Sequence, residues 1–522
     1  MKKSVLSIGA VLLMGGLGSA HAVYYFGAGS AFTHLVTGEV AADKLVQSAG
    51  GTGHMLYVPY YSVQGASASY INITNTDDQN GKAVKVRFRG AANSDDVLDF
   101  TLFLSPRDVW TARITKDKQG RATLSTEDKS CTLPAIPASG QPFSDLRLGG
   151  YLSASAKLSH TREGYVEILN MADIPPEVAG KESALYKAIK HNSEGKPGDC
   201  NASAVQEKLI SVPTVAATAA DVQAAGLYAP TGKLMGSWAI TNTSKVAMYG
   251  GAMPAVQAIK ESTGANGYGN IIFSPQVGSP TQHITVNEQT SDPLLTGNLV
   301  QTLWFDLPDM STPLIAGFNG RPNEQVASIG ILRNKVVNEY AADAANSVPM
   351  TTDWVFSQPT RRYYAALDYK ASANDAKIVW TNEVRAGAAA ATMVTNAPAV
   401  SNNAYAGLTK VTKGELGAFA CLPVIVGTVD REERTASAGA SFSPGNQASV
   451  CGEVFTLSFG GESVLGAELT NVPATSVGKE GWGYVTIGSA GSSISIPMVG
   501  FSATSVYAPT IGNFGLTLPY RW

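Results

Sequence analysis

The side chains able to do chemistry in this 522-residue sequence are few and scattered. There are six histidines. His21 lies in an N-terminal leader, and His34, His54, His160, His191 and His283 each stand alone in sequence. A serine hydrolase elbow needs Gly-x-Ser-x-Gly, because small neighbours let the nucleophile sit on a strained turn. The nearest run, Thr435-Ala436-Ser437-Ala438-Gly439, lacks the first glycine and reads as a Ser/Ala-rich loop. No zinc-type His-Glu-x-x-His, P-loop or Cys-x-x-Cys-His motif occurs, and Gly267-Tyr268-Gly269 is a turn fragment, not a dinucleotide fingerprint. A Ser-His-Asp site can gather distant residues, but nothing selects one histidine over the others. Paired carboxylates stand at Asp77-Asp78 and Asp95-Asp96, close to Asn75, Asn80 and Asn93. Asp77, Asp78 and Asn80 are the calcium candidate, since hard oxygen ligands suit that ion. The spacing departs from an EF-hand, and the same residues also serve as turn formers. No other cofactor is expected. Glu177, Glu182 and Glu207 are expected on solvated helix faces. The aromatic runs Tyr57-Val58-Pro59-Tyr60-Tyr61 and Arg361-Arg362-Tyr363-Tyr364 offer contacts to sugars or protein, although strand alternation would bury half of each.

The cysteines point to export. An even number, Cys131, Cys200, Cys421 and Cys451, reads as two disulfides in a secreted chain. Three connectivities are open, and Cys131–Cys200 with Cys421–Cys451 closes the shorter loops. No two cysteines have metal-type spacing. The N-terminus agrees: Met1-Lys2-Lys3, an apolar run from Val5 to Gly18, and Ala20-His21-Ala22 together read as a signal peptide, residues 1–22. Cleavage there would leave 522 − 22 = 500 residues. Lys plus Arg total 38 against 41 Asp plus Glu. That balance excludes a whole-chain electrostatic case for nucleic acid. The absence of a later long apolar run argues against a transmembrane helix in the mature chain.

The elements that must position these groups are mostly strands. Residues 23–54 read as an N-terminal arm and 55–170 as a β-sandwich. Residues 171–235 read as a helical and loop connector, 236–400 as a second β-rich domain and 401–522 as a C-terminal β-rich region. In Lys82 to Phe88, Val84, Val86 and Phe88 alternate with Lys85 and Arg87, which predicts a strand with one wet face. Leu98, Phe100, Leu102 and Leu104 repeat the pattern. Pro175-Pro176-Glu177 looks like a helix start, with Ala184, Leu185, Ala188 and Ile189 on one helical face. Ala204–Ile210, Val215–Leu227 and Val336–Ala345 also read as helical. Leu303–Pro308, Lys377–Trp380, Val454–Phe459, Tyr484–Ile487 and Ile494–Val499 read as strands, and Gly387–Pro398 as a loop. Ile73-Thr74-Asn75-Thr76 and Ile240-Thr241-Asn242-Thr243 repeat one short motif. The fold class expected is mainly β: sandwich-type domains with a small helical insertion, stapled by disulfides. The terminal run Gly515 to Trp522 is also compatible with the last strand of an outer-membrane barrel, but Pro519, the cysteines and the helix oppose that reading.

Tyr57 to Ile114 (YVPYYSVQ…YINITNT…GKAVKVRFRGAANSDDVLDFTLFLSPRDVWTARI) resembles a family of exported proteobacterial proteins described as cell-surface or surface-layer-like. Trp354 to Lys370 (WVFSQPTRRYYAALDYK) is similar to a second stretch of such proteins. The resemblance implies an extracellular, β-rich, non-catalytic role and transfers no catalytic residues. The expectation is a secreted structural protein of a Gram-negative cell surface, a surface-layer subunit whose partners are copies of itself and envelope components. A secreted polysaccharide-binding protein or hydrolase is the alternative.

Overall fold

The computed structural model describes residues 24–25, 40–146, 148–201, 223–268, 272–273, 335–343, 349–359, 361, 365–368, 372–380, 408–435, 448–474, 476–487, 498–508 and 512–521. The signal-peptide reading of 1–22, the strand reading of 303–308 and the loop reading of 387–398 lie outside them, as does most of the helix reading over 204–227. The first half contains β1 (Met55–Ser62), β2 (Ser67–Asn75), β3 (Gly81–Gly90), β4 (Asp96–Leu104), β5 (Val109–Lys116) and β6 (Ala122–Ser125). Then come α1 (Ala154–Thr161), β7 (Glu163–Ile174), α2 (Ala184–Ile189), β8 (Leu234–Asn242), β9 (Ala247–Ala252) and β10 (Ala255–Lys260). The second half contains β11 (Lys335–Asp343), β12 (Met350–Ser357), β13 (Ala418–Asp430), β14 (Ala448–Cys451), β15 (Val454–Phe459), β16 (Glu480–Ile487), β17 (Val499–Ala508) and β18 (Gly512–Pro519).

Two sheets form a sandwich. One runs β4-β3-β7-β1-β10 and continues into short strands; the other runs β6-β5-β2-β8-β9. Period-two alternation builds the core between them: Val84, Val86, Phe88, Phe100 and Leu102 from the first sheet meet Ile71, Ile73, Trp110, Ile114 and Ile240 from the second. Phe100 and Trp110 have ring centroids 5.6 Å apart across this core. A third sheet runs β13-β16-β11-β12-β15, with β14 on β13 and the β17–β18 hairpin on β12. The protein is mainly β, with two α-helices among the described residues, as the alternation predicted. No described helix is long and apolar enough to cross a membrane.

The wet outer face expected on β3 is dry. All ten residues from Gly81 to Gly90 are buried. The outer face of the first sheet is covered too: Met55, Tyr57 and Leu169 join a cluster with Trp354, Phe356, Leu422 and Phe455 of the third sheet. Ala83, Phe103 and Ile174 pack against Leu185 and Ile189 of α2. Strands covered on both faces usually read as continuous apolar runs. Here Lys85 and Arg87 break that rule. Lys85 pairs with Asp99 on β4, and the neighbouring Arg89 donates from Nε to Glu167 on β7 at 3.3 Å. Burial, reinforced by the Arg89 charge, pulls the Arg87 guanidinium down to about 10. Alternation of charge with aliphatic residues thus marks two environments, of which neither is water.

The sheets cross the boundaries expected at 170/171 and 235/236. Both fall inside strands, β7 and β8, and β8 pairs with β2 along its whole length. Strands from 335–357 and from 418–519 share the third sheet, whereas β8, β9 and β10 belong to the first two, so the region expected at 236–400 is divided between them. Part of the arm, Lys44–Gln47, pairs with β10. Strand texture is local, whereas strand partnership is decided at long range, and composition carries no trace of it.

Local readings fared unevenly. The Lys377–Trp380 and Val454–Phe459 strands and the Ala184–Ile189 helix stand as expected. Tyr484–Ile487 is the last half of β16; of the Ile494–Val499 reading, 494–497 lie outside the described residues, and β17 begins at Val499. Residues 336–343 are not helical, and 344 and 345 lie outside the described residues: β11 buries Val336, Asn338 and Tyr340 while Lys335 and Glu339 are exposed, a period of two fixed by pairing to β16. The helix expected from Pro175 starts at Ala184, where the Ser183 hydroxyl accepts the Tyr186 N–H. Glu177 and Glu182 face each other in a two-residue hairpin instead, turning at Ala179 and Gly180 with φ of 51° and 75°. Both glutamates are exposed; Glu207 lies outside the described residues. The short α1, capped by Ser153, carries no sequence signal strong enough to announce it. Both disulfides pair as expected, Cys131–Cys200 and Cys421–Cys451. Closing loops of 69 and 30 residues constrains the unfolded chain by roughly 3.5–4.5 kcal/mol each on the chain-entropy account.

Candidate functional site

The calcium candidates hold a lysine. Asp77 is buried at the turn after β2, its Oδ1 accepting the N–H groups of Gln79 and Asn80 at 3.0 Å each. Its Oδ2 faces the Lys82 ammonium at 3.2 Å. That ammonium also meets Asp173 at 2.7 Å and the Thr231 hydroxyl at 3.1 Å, all out of contact with water. Burial alone would raise the Asp77 carboxyl, but Lys82 and the two N–H groups hold it below its ordinary value. Asp78 points elsewhere, exposed and 3.5 Å from Arg107. The Asn80 carbonyl accepts from Asn75 Nδ2 at 2.9 Å. Among the described residues no group of three or more His, Cys, Asp or Glu is placed to hold a metal ion. Asn75 and Asn242, the shared residues of the repeated Ile-Thr-Asn-Thr motif, do the same work. Each ends a strand and accepts with its side-chain oxygen a backbone N–H of the following turn, from Asp77 at 3.0 Å and Lys245 at 2.9 Å.

The histidines that can be placed serve the fold. His54 is buried, its Nδ1 accepting the Ala258 N–H at 3.2 Å while Nε2 donates to the Pro230 carbonyl at 3.1 Å. His160 donates from Nε2 to the Leu416 carbonyl at 2.9 Å and thereby joins α1 to the second half of the chain. Burial pulls its pKa down to about 4, only partly offset by that bond. Its Nδ1, the bare nitrogen of that tautomer, is buried with no donor. His191, half-buried, lies 3.4 Å from the buried Asp108; His34 and His283 fall outside the described residues.

The His160 environment makes a pH-dependent contribution with a definite sign. The folded state keeps the ring neutral, and the unfolded state protonates near pH 6.5, so stability is full above that pH and is lost as pH falls toward 4. Between pH 7 and pH 4.5 the loss is about 2–3 kcal/mol. Urea titrations at the two pH values should show a smaller difference for His160→Gln than for the parent chain. An equal difference would remove His160 from the account.

Residues with no sequence signal prove to join the halves of the molecule. Glu163, fully buried at the start of β7, accepts from the Tyr60 hydroxyl at 2.9 Å and from Gln64 Nε2 at 3.0 Å. It also accepts the N–H groups of Glu468 and Leu469 at 2.8 Å each, that of Thr470 at 3.3 Å and the Thr470 hydroxyl at 2.7 Å. Asp353 on β12 holds the other end of this loop, accepting from the Ser463 hydroxyl at 2.5 Å and the Leu465 N–H at 3.1 Å. Burial pushes its carboxyl up, partly countered by those bonds. Arg361 is buried against Glu453 at 2.8 Å. Tyr57, Tyr60 and Tyr61, read as contact candidates, are core residues.

What remains outward is a sheet face. On β5, β2, β8 and β9 the side chains turned away from the core are Val109, Thr111 and Arg113; Ala68, Tyr70, Asn72 and Thr74; Met235, Ser237, Ala239 and Thr241; Met248 and Gly250. Register places Val109, Thr74 and Met235 in one row and Thr111, Asn72 and Ser237 in the next. Asn72 donates to the Ser237 hydroxyl at 3.1 Å within the face. Arg113 is the lone charge in these rows, whereas folded surfaces generally carry about a quarter to a third charged residues. Four large apolar side chains, Tyr70, Val109, Met235 and Met248, stand exposed on it. The free edge of β9 is closed by β18, whose Thr517 hydroxyl accepts the Gly250 N–H at 3.1 Å. No protein-family model matches this chain, and neither a curated protein nor a solved structure shows significant similarity to it.

Proposed function

We propose that this protein is a secreted structural subunit of a bacterial cell surface that assembles by non-covalent lateral contact. The observation that carries the reading is the open, almost uncharged outer face of the β6-β5-β2-β8-β9 sheet. Two such faces can approach without desolvating ions, and the Met, Val and Tyr side chains then lose water. The paired cysteines suit an oxidising compartment. The placed histidines and buried carboxylates are committed to internal bonds, which favours a role by contact over one by catalysis.

Negative-stain microscopy of cell envelopes tests the reading, together with sedimentation of the purified chain. The expected outcome is a regular array or filament, and concentration-dependent self-association in solution. Tyr70→Asp/Met235→Asp places like charges on both copies of the face and should weaken association by at least about 100-fold, since such juxtaposition costs several kcal/mol. A featureless envelope with monomeric protein free in the medium would reject the proposal.

A further inference from the structure

The third sheet carries a second, unlike surface. β16 is an interior strand, hydrogen-bonded to β11 on one side and β13 on the other. Its Gly483 and Val485 are buried, while Trp482 and Tyr484, two residues apart, turn to the opposite face. Trp482 is 46% exposed, in the middle of a sheet, although tryptophan is usually among the more buried residues. Register sets Trp482 between Glu339 and Val429, and Tyr484 between Val337 and Gly427. Gly427 is needed there. A Cβ at this position would lie 2.3–2.7 Å from Cε1, Cζ and the hydroxyl of Tyr484, so the phenol ring leans across the bare backbone of the glycine. Lys335 Nζ stands 4.9 Å from the centre of the same ring. Around the two rings lie the exposed Glu339–Arg521 pair, 3.7 Å apart, and the Arg431–Glu480 pair, 2.8 Å apart.

We propose that Trp482 and Tyr484 form a binding surface for a neutral polysaccharide. A pyranose ring has an apolar C–H face and a rim of hydroxyls, each both donor and acceptor. Its recognition requires a flat aromatic surface bordered by groups of both hydrogen-bonding kinds. Here the donors are Lys335, Arg431 and Arg521, and the acceptors are Glu339 and Glu480. Their charges nearly cancel, so the rim has little field to hold a polyanion. Successive same-face residues on a strand are about 6.6 Å apart, a distance on the scale of one sugar unit, which lets neighbouring sugars of an extended chain meet the two rings. Val337 and Val429 are the other apolar residues of these rows and are half-buried. The patch is therefore well short of the roughly 800 Å² per partner of a stable protein interface. This surface is separate from the face proposed for lateral assembly, and neither reading depends on the other.

The test uses the purified full chain. Co-sedimentation with insoluble cellulose, xylan, mannan, chitin and α-glucan is measured beside an anionic polymer, alginate, followed by fluorescence titration with soluble oligosaccharides of whichever neutral polymer binds. Retention on at least one neutral polysaccharide is expected, with at least a tenfold loss of affinity in Trp482→Ala and a smaller loss in Gly427→Ala, which lifts the Tyr484 ring. The fluorescence change should vanish in Trp482→Phe, although the sequence holds seven tryptophans. Because Trp482 lies outside the core, circular dichroism and self-association should be unchanged in Trp482→Ala. Absence of binding to every neutral polymer would overturn the proposal. So would stronger retention on alginate, unaltered binding by Trp482→Ala, or loss of self-association in that variant.

Discussion

Replacing Lys82 by methionine is expected to destabilise the protein by about 3–5 kcal/mol, because it leaves two carboxylates facing each other without their cation. The ammonium meets Asp173 at 2.7 Å, Asp77 at 3.2 Å and the Thr231 hydroxyl at 3.1 Å, with the lysine fully buried. Two buried like charges cannot both remain ionised without cost, so in Lys82→Met one of them takes up a proton and its pKa rises. The sign of the pH effect follows. In the parent chain Asp77 is held below its ordinary value, so its contribution is present above about pH 4 and is lost on further acidification. In the variant the deficit should shrink as pH falls below about 5, where the orphaned pair is relieved by protonation. Adding Asp77→Asn and Asp173→Asn should recover much of the loss, since removing a whole buried ionic group is far cheaper than breaking it. The measurement is the urea midpoint of the three proteins at pH 7 and pH 4.5. A deficit in Lys82→Met under about 1 kcal/mol, or one that grows on acidification, contradicts this account. The same experiment addresses calcium: a chelator should leave the parent midpoint unmoved if the lysine is the resident cation.

Glu163→Gln should cost on the order of 1–3 kcal/mol, although the two side chains have the same shape. The carboxylate takes six donors: the Tyr60 and Thr470 hydroxyls, Gln64 Nε2, and the N–H groups of Glu468, Leu469 and Thr470. An amide keeps one accepting oxygen for Gln64, Glu468 and Leu469, while its NH2 in the place of Oε2 can donate to the Tyr60 and Thr470 hydroxyls but leaves the Thr470 N–H without an acceptor. Each buried donor left without an acceptor costs about 1–3 kcal/mol. Burial and the Glu163 charge both push the Tyr60 hydroxyl well above its ordinary value, so it remains a donor throughout. The damage should appear in a definite place. Because Glu163 belongs to the first sheet and four of its six donor groups to the loop before Asn471, hydrogen exchange should accelerate at Thr470, and then at Glu468 and Leu469, before the rest of the core loosens. A variant with parental stability and unchanged exchange in this loop would show that the join is held elsewhere, for instance by the Glu453 N–H on the Ala91 carbonyl and Asn93 Nδ2 on the Ala418 carbonyl.

Both sites show where sequence reading stops. The alternation in Lys82–Phe88 announces a strand, and the strand is there. It cannot say whether the polar face meets water or another layer, because Lys85 and Arg87 look the same in either case. Only the third sheet and α2, which arrive from distant parts of the chain, make that face dry. Asp77-Asp78 and Asn80 look like oxygen ligands because their types and spacing suit a turn that collects oxygens. The turn is real, but its cation is supplied by Lys82. Glu163 and Asp353 had no signal at all, since each binds backbone N–H groups, and these leave no mark in a sequence. Val336–Ala345 misleads in the opposite way. Its alanines favour a helix weakly, and pairing with β16 overrides that preference.

The amino-acid order alone settled the mainly β character and many of the strands, and it favoured the cysteine pairing that closes the shorter loops. These properties are local: they depend on which residues alternate, where turns interrupt them, and how much chain a bridge must close. Tertiary structure alone decided which strands lie side by side, which charges are buried and which faces stay open. Those outcomes depend on distant segments meeting, where each buried ion must find its counter-charge or its N–H groups from another part of the chain.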